Sequence, residues 1–116
     1  LLADATFTGG AGSVSGSAAI EKTLRDNLIV YDDGTPRTKH LITNLAIEVD
    51  EQAGTAVARS YFTALQAVPG LSLQPIVSGR YYDRFECRAG QWRFVERRVQ
   101  TDLVGDVSRH VRRPAR

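Results

Sequence analysis

The sequence has few of the residues that build disulfides or metal centres. Cys87 is its single cysteine, which excludes an intrachain disulfide and gives no sign of an oxidising compartment. Its two histidines, His40 and His110, stand 70 positions apart, and no second cysteine accompanies them. We therefore expect no metal site, because zinc needs three or four such ligands brought together.

Long apolar runs are missing as well. No stretch approaches the roughly 20 residues that span a bilayer, and no basic-then-apolar signal peptide opens the chain. Hydrophobic residues make up 42% and charged residues 24% of the 116 positions, as in ordinary globular proteins. We expect one cytoplasmic domain that does not bind membranes.

Acidic residues are absent from the last eight positions. Residues 109–116 hold four arginines, and without them 11 basic residues face 13 acidic ones. The basic balance therefore belongs to this end of the chain. No aromatic-lined basic face accompanies it, so we expect no nucleic-acid partner. We predict a domain over residues 1–108 and a flexible tail over 109–116, in which His110 is a solvated residue.

Gly9–Gly16 contains four glycines in eight residues but lacks the spacing of a phosphate-binding loop. We predict a mobile loop here and no nucleotide cofactor. The opening Leu1-Leu2 is typical of the end of a helix, and no initiator Met is present. We expect one or more helices to precede Leu1 in the natural protein.

A helical period begins after this loop, with Ser17 as the predicted N-cap. Residues at i, i+4, i+8 and i+11 form one apolar face: Ile20, Leu24, Leu28 and Tyr31. Gly34 and Pro36 are stop signals. We predict that this face packs against a sheet.

The rest of the chain alternates with a period of two, which is typical of strands. Four long segments show it: His40–Glu51, Gly54–Val68, Ser72–Arg88 and Gln91–Val104. They predict an α+β fold with a strongly curved antiparallel sheet wrapped around a pocket. We expect Ile20, Leu24 and Leu28 to cover the concave face, and at least one bulge to shift the alternation.

The alternation also predicts which side chains share a face. Small residues accompany Phe62 on one face of the second segment. Tyr81 and Asp83 share a face of the third, where a buried carboxylate would need an arginine on a neighbouring strand. His40 and Asn44 share a face of the first. A wall with small residues beside aromatic ones leaves room for a ligand.

His40 is the main catalytic candidate, because imidazole titrates near neutral pH. One interpretation is a histidine at the start of a strand, bonded to backbone or solvent. The other is a pocket base, which needs a cavity and an orienting side chain. Around it we predict five substrate-binding residues: Asn44, Tyr81, Phe62, Tyr31 and Asp83.

An ordered series of motifs resembles a SnoaL-like member of the nuclear-transport-factor-like superfamily. The series comprises Leu2–Phe7, the helix from Ser17, Thr38-Lys39-His40 with Asn44, Ala58–Phe62, Gly79–Phe85, Gly90–Phe94 and Arg97-Arg98. The resemblance implies an α+β cone around a deep pocket, and often a homodimer or higher homo-oligomer formed through the sheet.

The subgroup that the chain most resembles includes scytalone dehydratase and bile acid dehydratase. In these enzymes the histidine that matches His40 works with an aspartate on the first helix and with pocket tyrosines, without a metal or organic cofactor. That helix would lie before Leu1. The resemblance implies a dehydratase or isomerase that acts on a hydrophobic cyclic molecule. A non-catalytic ligand-binding or accessory protein of the same fold is the alternative.

Overall fold

The structure is a computed structural model that describes residues 5–9 and 12–112. Its elements in chain order are β1 (Thr6–Gly9), β2 (Gly12–Ser15), α1 (Ser17–Asn27), β3 (Thr38–Asp50), β4 (Thr55–Val68), β5 (Leu71–Arg88) and β6 (Gln91–Val104). The four long strands agree with the four alternating segments of the sequence, with small changes at their ends.

All six strands form one sheet in the order β2-β1-β6-β5-β4-β3. Neighbours are antiparallel except β1 and β6, which run parallel. Irregularities interrupt the pairing of β3 with β4, of β4 with β5 and of β5 with β6. Such bulges bend and twist strands. The predicted α+β fold with a curved sheet is confirmed, and the sheet is not closed into a barrel.

The two faces of this sheet differ in burial. On β4, every second residue from Ala56 to Val68 is buried, whereas the residues between them are exposed or half-buried. We call the buried side the inner face; it includes Ser60, Phe62, Tyr81 and Asp83. The opposite side is the outer face, and it carries Arg59, Tyr61, Arg80, Tyr82 and Arg98. The predicted alternation of β4 and β5 is confirmed.

Close packing on the inner face requires glycine at one position. Gly79 lies opposite Phe62 on β4 and Thr101 on β6. A Cβ atom at Gly79 would lie 2.1 Å from the carbonyl oxygen of Gln100 and 2.9 Å from Cε1 of Phe62. Glycine therefore allows the Phe62 ring to lie directly over the β5 backbone.

Helix α1 packs elsewhere than the sequence predicts. Its N-cap is Gly16, and no side chain caps it, so the assignment of Ser17 as the cap is wrong. Ile20 is buried with Ala5 against Phe7 and Val14 of the β1–β2 hairpin and against Val95 of β6. The predicted mobile loop is partly wrong, since Gly12–Ser15 is a strand; residues 10 and 11 lie outside the described part.

The prediction that Ile20, Leu24 and Leu28 cover the inner face of the long strands is therefore wrong. Leu24 is 44% exposed, and in the described residues α1 packs on β1 and β2. The cause is local, because the hairpin that immediately precedes α1 already offers an apolar surface. No described helix is both long and apolar enough to cross a membrane.

The chain after β6 returns across one end of the sheet. We call residues 106–112 the carboxyl-terminal strap. Its residue Val107 packs against an inner-face cluster that consists of Ala64, Val68, Leu71 and Ile76. The Ile29 amide donates to the His110 carbonyl at 2.9 Å, and the Arg112 amide donates to Asn27 at 2.9 Å.

These contacts correct part of the predicted tail. The sequence predicts a flexible terminus from residue 109 onward, but residues 109–112 are docked on the end of α1 and on the sheet. The apolar content of the segment is low, and backbone hydrogen bonds hold it instead. Residues 113–116 lie outside the described part, where the predicted tail is untested.

Candidate functional site

His40 lies on the inner face of β3, directly opposite Ala64 of β4. The residue is exposed overall, but its ring lies beside Phe62, with 6.3 Å between the ring centroids. Partial desolvation of the ring, and then the positive charge of Arg97, lower the pKa of His40 below its usual value. The neutral, proton-accepting imidazole is therefore favoured near pH 7.

A stack of flat groups continues from Phe62 across the inner face. The Phe62 and Tyr81 rings are stacked, with centroids 4.5 Å apart and planes 16° from parallel. On Tyr81 lies the guanidinium of Arg97, 3.9 Å from the ring centroid. The Tyr81 ring is thus held between an aromatic ring and a cation, an arrangement in which the ring quadrupole attracts the charge.

A buried carboxylate anchors this cation. Nε and Nη2 of Arg97 donate to the two carboxylate oxygens of Asp83 at 2.9 and 3.0 Å. Asp83 is 6% exposed and lies directly opposite Arg97 in the β5–β6 ladder. The ion pair that the sequence predicts for Asp83 is confirmed. Its fork geometry fixes the guanidinium plane against the Tyr81 ring.

Burial acts on both partners of the stack. It opposes the charge on Arg97, but the hydrogen bonds and charge of Asp83 outweigh this, and the pKa of Arg97 is raised. Burial also raises the pKa of the Tyr81 phenol; Arg97 works against that change and Asp83 adds to it. Arg97 therefore stays charged, and Tyr81 stays protonated and able to donate a hydrogen bond.

Sequence reasoning did not include Arg97 among the candidates. The signal for it was nonetheless present, because an inward Asp83 requires a cation on a neighbouring strand. The sequence offers two adjacent arginines, Arg97 and Arg98. Only the register of β5 with β6 shows that Arg97 faces inward, while Arg98 lies opposite Tyr82 on the outer face.

Asn44 does not join His40, and the prediction that they share a face is wrong. The β3–β4 pairing shifts between Thr43 and Ala46, and Asn44 within this bulge has a φ of 54°. Asn44 instead lines a depression of about 290 Å³ whose other walls include the outer-face residues Arg59, Tyr61, Arg80 and Tyr82. A bulge adds one residue and so reverses the alternation.

Tyr31 is brought near the inner face but is already engaged. It packs against the cluster around Ala64, and its hydroxyl donates to the carbonyl oxygen of Arg109 in the strap. Of the predicted substrate-binding residues, the structure thus brings Phe62, Tyr81 and Asp83 together near His40. It places Tyr31 at the strap and Asn44 on the outer face of the sheet.

His40, Phe62, Tyr81 and Arg97 follow one another across the inner face, and we call them the inner-face row. This row can accept a proton at one end and stabilise a negative charge at the other. His40 is the neutral base, and Arg97 with the Tyr81 phenol supplies positive charge and a hydrogen bond. In the described residues, no group of three or more His, Cys, Asp and Glu side chains could hold a metal ion.

Solved structures show the same fold. A Nostoc punctiforme protein of unknown function with a cystatin-like fold is 17% identical, with a TM-score of 0.72, over 92% of this chain and 74% of that one. A Mycobacterium tuberculosis protein of unknown function is 26% identical, with a TM-score of 0.70, over 92% and 59%. A putative scytalone dehydratase from Novosphingobium aromaticivorans is 22% identical, with a TM-score of 0.69, over 91% and 68%.

This chain therefore spans about three-fifths to three-quarters of the length of those proteins. No curated protein matches it significantly in sequence. A family model for the SnoaL-like domain matches residues 2–98, which is most of the chain. The match includes the whole of the row from His40 to Arg97. The chain belongs to the SnoaL-like domain family.

Proposed function

We propose that the protein is a cofactor-independent dehydratase or isomerase that acts on a hydrophobic, cyclic small molecule. The observation that carries the proposal is the inner-face row in which His40, Phe62, Tyr81 and Arg97 follow one another. It combines a neutral base, a flat apolar surface and a fixed cation. That combination suits removal of a proton from carbon next to a carbonyl group.

In this reaction His40 accepts the proton, and the electrons of the C–H bond move toward the carbonyl oxygen. The developing negative charge lies within reach of Arg97 and the Tyr81 phenol, which stabilise it. When the enolate re-forms the carbonyl, a β-hydroxyl group leaves with the proton from His40 as water, and a C=C bond remains. Returning the proton to a different carbon gives isomerisation instead.

The apolar character of the surrounding face supports the choice of substrate class. Ile47 and Val49 lie opposite Ala58 and Ala56 on the inner face and are 57% and 53% exposed. This surface and the Phe62–Tyr81 stack can accept a flat hydrocarbon ring. The structural similarity to a putative scytalone dehydratase points the same way. The predicted aspartate on a preceding helix would orient the His40 ring.

A non-catalytic ligand-binding protein is the second candidate. Among the described residues, none hydrogen-bonds to the His40 ring, and a catalytic histidine generally needs such an orienting partner. In that case the stack would bind the ligand and no bond would change. We further propose a cytoplasmic homodimer formed through the sheet, which neither candidate requires.

The test is the His40→Asn variant with matched measurements of binding and turnover. Cyclic β-hydroxy ketones that raise the melting temperature of the protein would be selected first, and loss of water would then be followed by absorbance. We expect turnover to fall at least about 100-fold, the lower range for loss of general acid–base help, while binding changes little.

Asn44→Ala is the control, because Asn44 lies on the other side of the sheet, and it should keep full turnover. Equal turnover in the wild type and His40→Asn would contradict a base at His40. Binding without turnover in the wild type would support the second candidate.

A further inference from the structure

One carbonyl group of the carboxyl-terminal strap receives two side-chain hydrogen bonds. The carbonyl oxygen of Arg109 accepts hydrogen bonds from the Tyr31 hydroxyl and from Nε2 of Gln66 at 3.0 Å. Gln66 is 1% exposed, and its Nε2 also donates to the Pro36 carbonyl at 3.1 Å. The loop after α1, through Tyr31, and strand β4, through Gln66, therefore both bind the strap at the Arg109 carbonyl. His110 is the next residue.

This point lies beside His40. Gln66 pairs with Thr38, and Ala64 pairs with His40, so the two pairs are neighbours on the inner face. The backbone of His110 is anchored on both sides, because its carbonyl accepts from Ile29 at 2.9 Å and its amide donates to Val107 at 3.0 Å. The strap thus brings the second histidine of the chain toward the first.

The buried side of the His110 ring favours one protonation state. Nδ1 of His110 is buried and has no hydrogen-bond partner, and the same is true of Oε1 of Gln66. A hydrogen on Nδ1 would be a buried donor without an acceptor, which folded proteins avoid more strictly than an unfilled acceptor. The favoured ring is therefore neutral, with its hydrogen on Nε2.

The charged surroundings agree with a neutral ring. Burial, and then the charge that His40 carries when protonated, lower the pKa of His110. His40 on β3 is near enough for its charge to act on the ring, and the Tyr31 hydroxyl donates to the carbonyl oxygen of the adjacent Arg109. On the strap itself, the Arg109 guanidinium pairs with Asp106 at 3.2 Å. Among the described residues, no carboxylate acts to raise the pKa of His110.

We propose that His110 is a second ligand-binding group of the inner-face site, whose Nε2–H donates a hydrogen bond to a carbonyl or hydroxyl oxygen of a neutral ligand beside His40. The proposal deepens the proposed function and rests on its placement of the ligand. His40 would then accept a proton while His110, which stays neutral, holds the oxygen. The strap then forms part of the binding site.

The first test needs no ligand. Long-range ¹H–¹⁵N spectra of the histidine rings in the full chain report both the position of each ring hydrogen and each pKa. We expect His110 to carry its hydrogen on Nε2 and to titrate below the usual 6.5. In His40→Asn the pKa of His110 should rise, because the neighbouring positive charge is gone. A hydrogen on Nδ1, or an ordinary pKa that His40→Asn leaves unchanged, would overturn the proposal.

The pH dependence of stability provides an independent check that folding lowers the pKa of His110. A histidine whose pKa is lowered by folding binds fewer protons in the folded than in the unfolded state, so stability is lost as the pH falls below about 6.5. His110→Gln should show a smaller loss of stability than the wild type between pH 7.5 and pH 5. An unchanged acid dependence would argue against a buried neutral ring.

A matched pair of variants tests the hydrogen bond to the ligand. In His110→Gln the side-chain amide reaches the position of Nε2, whereas in His110→Asn it reaches only that of Nδ1. With the bicyclic ketone 1-tetralone as probe, we expect the Kd from chemical-shift titration to stay within about threefold of the wild type for Gln and to weaken about tenfold for Asn, the usual effect of one lost hydrogen bond.

Equal affinity of the two variants, or no binding of 1-tetralone by the wild type, would count against the role of His110. The spectra of the ligand-free protein separate this from the proposed function. One outcome is that His110 has the expected ring state and 1-tetralone binds while His40→Asn keeps full turnover. That result would contradict His40 as the catalytic base but would leave the ligand-binding role of His110 intact.

Discussion

Two ion pairs join the same two strands and differ mainly in the face on which they lie. Asp83 and Arg84 are consecutive residues of β5, and they pair with Arg97 and Glu96 of β6, which lie directly opposite them. The N···O distances are 2.9 Å on the inner face and 3.0 Å on the outer face. The acidic side chains, however, are 6% and 23% exposed, and the basic ones 31% and 58%.

The comparison teaches that burial, and not distance, separates a structural charge from a surface one. Water and salt screen the outer pair, so its contribution to stability is small. The inner pair has lost much of its hydration, so each partner depends on the other. Of the two cations, only Arg97 on the inner face is also held against an aromatic stack.

The largest effect that we predict comes from the inner face beneath this stack. Gly79→Ala places a Cβ atom 2.1 Å from the Gln100 carbonyl oxygen and 2.9 Å from Phe62. The backbone of β6 must shift, and we expect a loss of about 3 kcal/mol or failure to fold. Denaturant unfolding measures it. Thr101→Ala, across the ladder, is the control and should cost at most about 1 kcal/mol.

A cost below that of the control would mean that β5 and β6 are less closely packed at Gly79 than the structure shows.

The next effect tests the two ion pairs directly. Asp83→Asn leaves the half-buried Arg97 without its counter-charge, and we expect a loss of about 2 kcal/mol, less than for a fully buried pair. Glu96→Gln removes the corresponding charge on the outer face and should cost less than about 1 kcal/mol. Urea unfolding at low and high salt compares them. Equal losses, or equal sensitivity to salt, would break the distinction between the faces.

The smallest loss of stability that we predict comes from removing a tyrosine hydroxyl, and two tyrosines allow a comparison. Tyr31→Phe removes the hydrogen bond to the Arg109 carbonyl and should cost about 1 kcal/mol, the usual net value of one such bond. Tyr82→Phe on the outer face should stay within about 0.5 kcal/mol. Hydrogen exchange at the His110 and Arg112 amides should quicken only in Tyr31→Phe. Unchanged exchange there would show that the Tyr31 hydrogen bond does not help to hold the strap.

Much of the sheet was predictable from the sequence, because the direction of a side chain on a strand depends only on its position along that strand. The burial of Phe62, Tyr81 and Asp83 on one face follows from this rule, as does the need of Asp83 for an arginine.

The remaining features depend on contacts between distant residues. The bulge at Asn44 depends on how β3 pairs with β4, and it separates two residues that simple alternation puts together. The partner of Asp83 depends on the register of β5 with β6, which selects Arg97 over the adjacent Arg98. Helix α1 has one apolar face, but its sequence does not show that this face meets the β1–β2 hairpin and Val95 of β6.

The sequence by itself determined a curved α+β sheet with an aromatic, small-residue inner face and His40 at one end. Those features arise from residue type and local period, which act over a few residues. Only the tertiary structure decided that Arg97 is the cation on the stack and that the strap carries His110 to the same face. Both depend on hydrogen bonds between residues far apart in the chain, as Gln66 and Arg109 show, and no local pattern encodes such pairing.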